Sequence, residues 1–564
     1  MPTRLCGSLL LIIFTALVAC APPGQSFAPG AHGGMIASAD SLATEAGLMV
    51  LRDGGNAFDA AVAVGFALAV THPQAGNIGG GGFGVIYVAD SAKVFALDFR
   101  ERAPLAATRG MYLDADGEVI PDASIKGYRA AGTPGTVAGL CELHSRHGVL
   151  PLTDVISPAI TLAESGFVVD SALAELFAEY SEDFAEFSAT AKYFLSAGKT
   201  YADGETLTQP DLARVLQTIA EQGADGFYGG EIAEQIAADM RAHGGLITEQ
   251  DLNEYQPIWR EPIRFDLSHL TIYSMPPPSS GGIIMSEILG MLLNFDFTGM
   301  APADVRFIHL FTEASKLAYA DRAQYLGDPD FIYNPTEMLL APEYLYARSL
   351  EIDTARATPS SEILPGLERR ESESTTHFCV ADSLGNLVSL TYTLNSSFGC
   401  KQVVEGLGFF MNNEMDDFSI KPGIANQFGL VGGEANAIAP GKRMLSSMAP
   451  TIVFYKGAPT LVVGTPGGSK IITSVAQTIL NFFGFGLGAD SSINMPHIHH
   501  QWLPDKLYYE TGGLNGTQIE ALTAMGHNLQ ERSEYGDLQV IAIQPDGSFL
   551  GASDRRGNGY AAGI

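Results

Sequence analysis

Residues 371–393 read ESESTTHFCVADSLGNLVSLTYT, and the change of pattern inside this stretch decides the fold. Ahead of it, residues 351–374 are polar, hold two prolines and lack a regular period, which predicts an exposed loop. From Thr375 the chain turns to strand grammar. TTHFCVAD and NLVSLTYTLN flank the turn Ser383-Leu384-Gly385-Asn386, the pattern of a β-hairpin. PTIVFYKG and PTLVVGTPGG predict a second hairpin, with a helix following over 470–483.

Outward from there the chain alternates. Between 40 and 72, apolar residues at helical spacing predict two helices around Asp53-Gly54-Gly55-Asn56, the second apolar enough to be buried. FGVIYVAD and KVFALDFR predict adjacent strands joined by Asp90-Ser91. The span 130–245 is mainly helical, with helices expected at 137–147, 153–164, 170–180, 211–222 and 230–242. Residues 255–275 return to strands and 281–326 to helices.

With 564 residues, 46% hydrophobic and 17% charged, there is material for a large core, and a disordered chain is excluded. The net charge of −31, with no stretch that concentrates Lys and Arg, excludes a nucleic-acid-binding role. Five cysteines without a CxxC pair provide neither a disulfide scaffold nor a cysteine-rich metal site.

The opening MPTRLCGSLLLIIFTALVAC carries one positive charge, then an apolar run too short to span a bilayer, which predicts a secretory signal. Leu17-Val18-Ala19-Cys20 resembles the lipobox of bacterial lipoproteins, in which cleavage before the cysteine precedes acylation of its thiol. A plain signal cleaved near residue 28 is the alternative. The resemblance implies residues 1–19 as signal peptide and export to the periplasmic side of the bacterial envelope. It also implies a lipid anchor on Cys20 to the outer membrane, with residues 20–34 as a Pro/Gly-rich flexible tether.

Two motifs mislead. Gly79, Gly81 and Gly84 satisfy GxGxxG, but a helix pattern precedes them and a strand follows, the reverse of a dinucleotide site. Close backbone approach is the expected reason for these glycines. His497, His499 and His500 in HIHH lack acidic residues at ligand spacing, so packing and hydrogen bonding are expected rather than metal. No metal and no cofactor is expected.

A threonine hydroxyl is a weak nucleophile unless a base stands beside it. At a chain N-terminus its own α-amine, with a pKa near 8, serves as that base. Cleavage between Ser374 and Thr375, where loop meets strand, would place Thr375 there.

The ordered segments GGNAFDAAVAVGFALAV, GGGGF, LDFRERAP, PPPSSGG, STTHF, TYTLNSSFG, NNEMDDF, KPG, GLVGGEANAIAPGKRMLSSMAPTIV, TPGGS and IHHQWLPD resemble the γ-glutamyltranspeptidase (glutathione hydrolase) family of N-terminal nucleophile hydrolases. The likeness covers residues 34–564. It implies an α+β fold, a four-layer αββα sandwich assembled from two fragments of one precursor. Residues 35–374 form the large subunit and 375–564 the small catalytic subunit of a heterodimer.

By the same resemblance Thr375 is the nucleophile, Thr393 supports it, and the backbone N–H groups of Gly467 and Gly468 form the oxyanion hole. Arg100 clamps the donor α-carboxylate, with Ser446 and Ser447 at the same end, while Asn395, Glu414 and Asp417 receive the α-ammonium. Phe428, in the lid-like segment KPGIANQFGLVGG, stands where many bacterial relatives carry tyrosine, and Glu414 where some carry glutamine. Both departures bear on acceptor preference. The implied substrates are glutathione and other γ-glutamyl compounds, with water, an amino acid or a dipeptide as acceptor. Two alternatives are a glutaryl or cephalosporin acylase of the same family, and a tethered binding lipoprotein that has lost catalysis. Cys379 and Cys400 could pair in an oxidising compartment.

Overall fold

The hairpin expected at the loop–strand junction forms strands Thr376–Asp382 and Leu387–Thr393, paired antiparallel with Thr376 opposite Tyr392. It lies inside a seven-stranded antiparallel sheet. The order is Tyr560–Gly563, Gly34–Ser38, Thr376–Asp382, Leu387–Thr393, Gly81–Val88, Lys93–Phe99, Ile258–Arg260. The structure is a computed structural model describing residues 27–195, 198–363, 375–421, 423–424, 426–427, 429–430 and 432–564. The leader at 1–26, Cys20, Ser374 and Phe428 lie outside these residues.

A second seven-stranded antiparallel sheet runs Phe27–Ala31, Phe549–Ser553, Gln539–Ile543, Ala458–Gly464, Thr451–Tyr455, Leu270–Ser274, Ile263–Leu267. The period of two along each strand builds the layers. Cys379 and Ala381 face the second sheet, packing with Met35, Val85, Ile452, Val462 and Ile541. Phe378 and Val380 face the opposite way, against helices Ser41–Arg52 and Ala57–Thr71. Helices Gly281–Leu292, Val305–Tyr325 and Lys470–Ile479 cover the outer face of the second sheet. The result is the four-layer αββα sandwich. Each sheet mixes strands from before and after residue 374, so a cut there leaves two fragments sharing both sheets.

The helix Ala57–Thr71 is buried along its whole length, as its composition predicts. Asn56 and Asp59 cap it reciprocally, and Asp382 of the hairpin accepts from Ala57 N at 2.9 Å. The GxGxxG glycines serve backbone approach at two of three positions. A Cβ at Gly79 would lie 2.2 Å from the Phe410 carbonyl oxygen and one at Gly81 2.5 Å from that of Phe99, whereas Gly84 has nothing nearer than 3.6 Å.

Two expectations need correction, and the open pairing of Cys379 and Cys400 is answered. Phe27–Ala31 is a strand paired with Phe549–Ser553, so the segment 20–34 is not a free tether throughout. The edge of the sheet offers Phe27 and its neighbours backbone partners that a Pro/Gly-rich composition does not reveal. Cys379 and Cys400 are free thiols. The first packs between the sheets and the second in the helix-side core, so the fold places them in different layers. The helix expected over 470–483 ends at Ile479 and widens into a π-turn over Leu480–Gly484. No helix among the described residues is long and apolar enough to cross a membrane.

Candidate active site

Because Thr376 pairs with Tyr392, Thr375 and Thr393 come together at the open end of the hairpin, their hydroxyl oxygens 3.4 Å apart. Asn395 donates its backbone N–H to Thr393 Oγ1 (2.8 Å) and its side-chain amide to the Asn413 carbonyl (3.0 Å). Its φ of +77° is a conformation that asparagine tolerates better than most residues. Opposite lies the turn before helix Lys470–Ile479, where Gly467 and Gly468 have φ of +131° and +55°. A side chain at either would be strained, and its absence leaves the backbone open to a ligand.

These elements line a pocket that opens to solvent. Thr375, Thr393, Asn395, Gly468, Arg100, Glu414, Asp417, Ser446 and Ser447 all line it. Of the described residues expected at the site, only Gly467 is set back from the lining. Leu430, Met448 and Ile471 also line it and carry no chemical signal in the sequence beyond adjacency to the motifs.

The charges in the pocket are bonded to one another. Arg100 is fully buried, donates to Asp417 Oδ2 at 2.5 Å and to Glu414 Oε1, and has Glu101 3.7 Å away. Burial works against its charge, but Glu414, Asp417 and Glu101 outweigh that and raise its pKa. Burial pushes the carboxyls of Glu414 and Asp417 up, with Arg100 pulling both down. Glu101 is pushed up to about 7 by the same burial. Arg100 and the two acids assigned to opposite ends of a substrate thus form one cluster.

The lid-like segment is tied down through residues that the motifs did not single out. Asn426 donates to Asp417 Oδ1 (2.9 Å), Gln427 N to Asp416 (2.9 Å), and Ser396 to the Gln427 side chain (2.6 Å).

The HIHH histidines do not converge. His497 faces Tyr535 and Glu510, His499 faces Thr473 and Gln501, and His500 faces Asp505. A different group, His309, Glu313 and His527, places its donor atoms within 4.8 Å of one another. Protein groups already satisfy it. His309 Nε2 donates to the Asp353 carbonyl (2.7 Å), so its Nδ1 accepts from His527 Nε2 (2.8 Å), and Lys316 pairs with Glu313 (2.5 Å).

This histidine pair links segments on either side of residue 374, and the His527 ring is buried. Burial first, then neighbouring positive charge such as that of Lys316, lowers the His527 pKa from 6.5 to about 3. The unfolded chain therefore takes up this proton first as pH falls. Stability is present above about 6.5 and is lost toward 3, at up to about 1.4 kcal/mol per pH unit. His527→Gln is expected to make the fall in Tm between pH 7 and 5 shallower. Parallel curves for variant and wild type would contradict this.

Comparison with known proteins agrees with the geometry. The family model described as gamma-glutamyltranspeptidase matches residues 43–564. The chain belongs to the γ-glutamyltranspeptidase family. It is 48% identical over 527 residues to the glutathione hydrolase proenzyme of Escherichia coli (strain K12), covering 93% of this chain and 90% of that protein. Among solved structures it is similar to a cephalosporin acylase from Bacillus halodurans. That match has a TM-score of 0.85 and 29% identity, covering 98% of this chain and 99% of the other. The γ-glutamyltranspeptidase of Helicobacter pylori matches with a TM-score of 0.57 and 46% identity, covering 58% of this chain and 94% of the other. As a family member the chain is an N-terminal nucleophile hydrolase, and its two-sheet body is that of a self-cleaving precursor.

Proposed function

We propose that the chain cuts itself between Ser374 and Thr375, and that Thr375 then opens the γ-glutamyl amide of glutathione and related donors. γ-Glutamyl transfer and hydrolysis are the enzyme's activity. The freed α-amine of Thr375 takes the hydroxyl proton as Oγ1 bonds to the γ-carbonyl carbon. The N–H groups of Gly467 and Gly468 receive the oxyanion. The C–N bond breaks, the amine leaves with the proton (Cys-Gly from glutathione), and a γ-glutamyl ester remains on Thr375. Water then releases glutamate, or the neutral amine of an amino acid or dipeptide gives a new γ-glutamyl product. In either case Oγ1 recovers its proton.

The observation that carries this reading is the buried cluster of Arg100, Glu414 and Asp417. A glutamyl α-carbon bears one carboxylate and one ammonium, so it can enter the cluster with each charge re-paired, the carboxylate to Arg100 and the ammonium to the acids. A glutaryl chain would take Arg100 and leave two buried carboxylates without a cation, a large penalty. The fold likeness to a cephalosporin acylase favours the second reading, and this pocket chemistry speaks against it.

Assays with glutathione and with a glutaryl amide, each with and without glycylglycine, test the reading. Glutathione is expected to be the better donor, and acceptor to raise turnover at a pH that frees its amine. Preference for the glutaryl amide would turn the assignment to the acylase.

Export and a lipid anchor on Cys20 belong to the same proposal, supported by the lipobox-like sequence. Cys20→Ser is expected to remove acyl mass from membrane-extracted protein while leaving catalysis intact. A native N-terminus at Ala28 without acyl mass would leave export alone.

A further inference from the structure

We propose that Arg322 is a positioning residue for the donor α-carboxylate: it holds Ser447 so that the hydroxyl donates into the pocket, and it places a second positive charge behind that hydroxyl. The inference rests on the γ-glutamyl reading above.

Arg322 lies on helix Val305–Tyr325 and is 4% exposed. Its Nε donates to Ser280 Oγ (2.8 Å) and its Nη2 to Ser447 Oγ (3.2 Å). Arg100 is held by carboxylates, whereas Arg322 makes no salt bridge among the described residues and meets only hydroxyls. Burial lowers its pKa to about 10, which leaves it protonated at neutral pH, and both Asp417 and Arg100 act on its charge. It therefore belongs to the charge system of the pocket. A buried guanidinium without a counter-ion is costly, and a carboxylate arriving at Ser446 and Ser447 would offset that cost.

The hydroxyls point the same way. A serine hydroxyl has one hydrogen, and its acceptor side can be occupied independently. Ser447 Oγ accepts from Arg322, and Ser446 Oγ accepts from Met448 N at 3.1 Å. Among the described residues neither hydroxyl donates to a protein acceptor, so both hydrogens are available to an anion in the pocket they line.

The PPPSSGG segment, which has no part in the chemistry, braces this wall from behind. Ser280 donates through both N (2.8 Å) and Oγ (2.7 Å) to the Ser446 carbonyl, and Ser279 Oγ donates to that of Met448 (2.5 Å). Arg322 links the brace to the wall. One turn earlier, Tyr319 bonds the carbonyl of Ser469, beside Gly468. Loosening this helix would thus slow every donor alike, while losing the Arg322 charge would penalise only donors with an α-carboxylate.

Three donors with one leaving group separate these effects: the γ-glutamyl anilide, the glutaryl anilide (carboxylate without ammonium) and the 4-aminobutyryl anilide (ammonium without carboxylate). Arg322→Gln is expected to lower kcat/KM roughly 10- to 100-fold for the first two, mainly through KM, with Arg322→Lys recovering part. The 4-aminobutyryl donor should change less than about threefold, and the loss should shrink in a Ser447→Ala background. Where 4-aminobutyryl turnover is too slow to follow, competition by 4-aminobutyrate and by glutarate against the γ-glutamyl donor makes the same comparison. Should Arg322→Gln fail to process, Arg322→Lys and Ser447→Ala carry the test. Equal losses on all three donors, or none on the γ-glutamyl donor, would overturn the assignment of Arg322. A wild-type enzyme without γ-glutamyl turnover would overturn the reading beneath it.

Discussion

Thr375→Ala is expected to leave the chain uncut and to abolish γ-glutamyl turnover. Both events need the same atom, an Oγ1 that attacks the preceding carbonyl in maturation and the donor carbonyl in catalysis. Without cleavage, the α-amine that would serve as base remains in a peptide bond. Loss of a nucleophile in a comparable acyl-transfer enzyme is on the order of 10⁶ in kcat. Thr375→Ser should retain cleavage and part of the activity, because the hydroxyl stays. The uncut variant should still fold, since the hairpin is held by its pairings with Gly34–Ser38 and Gly81–Val88. Gel analysis with N-terminal sequencing decides the matter. Wild-type protein should give a small fragment that begins at Thr375, and any other start would remove the nucleophile assignment.

Asp417→Ala should cost about 2–5 kcal/mol in donor recognition, roughly thirtyfold to several thousandfold in kcat/KM. The change takes one of the two direct carboxylate partners from Arg100 and the side-chain tie from Asn426, while leaving Thr375 and Thr393 in place. Fragment formation should be unaffected, because self-cleavage needs no glutamyl ligand. The penalty should fall on donors that carry an ammonium and be much smaller for a glutaryl amide, which meets one buried carboxylate fewer. A loss below tenfold with glutathione, or an equal loss with both donors, would show that Asp417 does not receive the ammonium.

Much of this molecule is legible in its sequence wherever a feature is local. The alternation after Thr375, the turn at 383–386, the capped apolar helix at 57–71 and the glycines of TPGGS each fulfil a backbone requirement within a few residues. Period and turn chemistry therefore reveal them. The site residues were also within reach, because each sits in a motif long enough to be matched as a unit. Two short helices, Ser181–Glu186 and Ser188–Phe194, were not expected. Phe184 and Phe194 pack against Phe398 and Phe410, more than 200 residues away in sequence, and their segment carries no strong period of its own.

The positions of the proposed cleavage junction, the hairpins and the chemical groups follow from the order of residues, because short-range sterics and hydrophobic alternation act along the chain. How those groups treat one another follows only from folding. Arg100 meets Asp417 across 317 residues, Arg322 reaches Ser447 from a helix on the other side of the junction, and Phe27–Ala31 finds a strand edge near the C-terminus. The worth of such contacts depends on burial. In water these charges would each be solvated separately, whereas inside the sandwich the loss of solvent makes every cation seek an anion, and makes the pocket selective for a ligand that brings both.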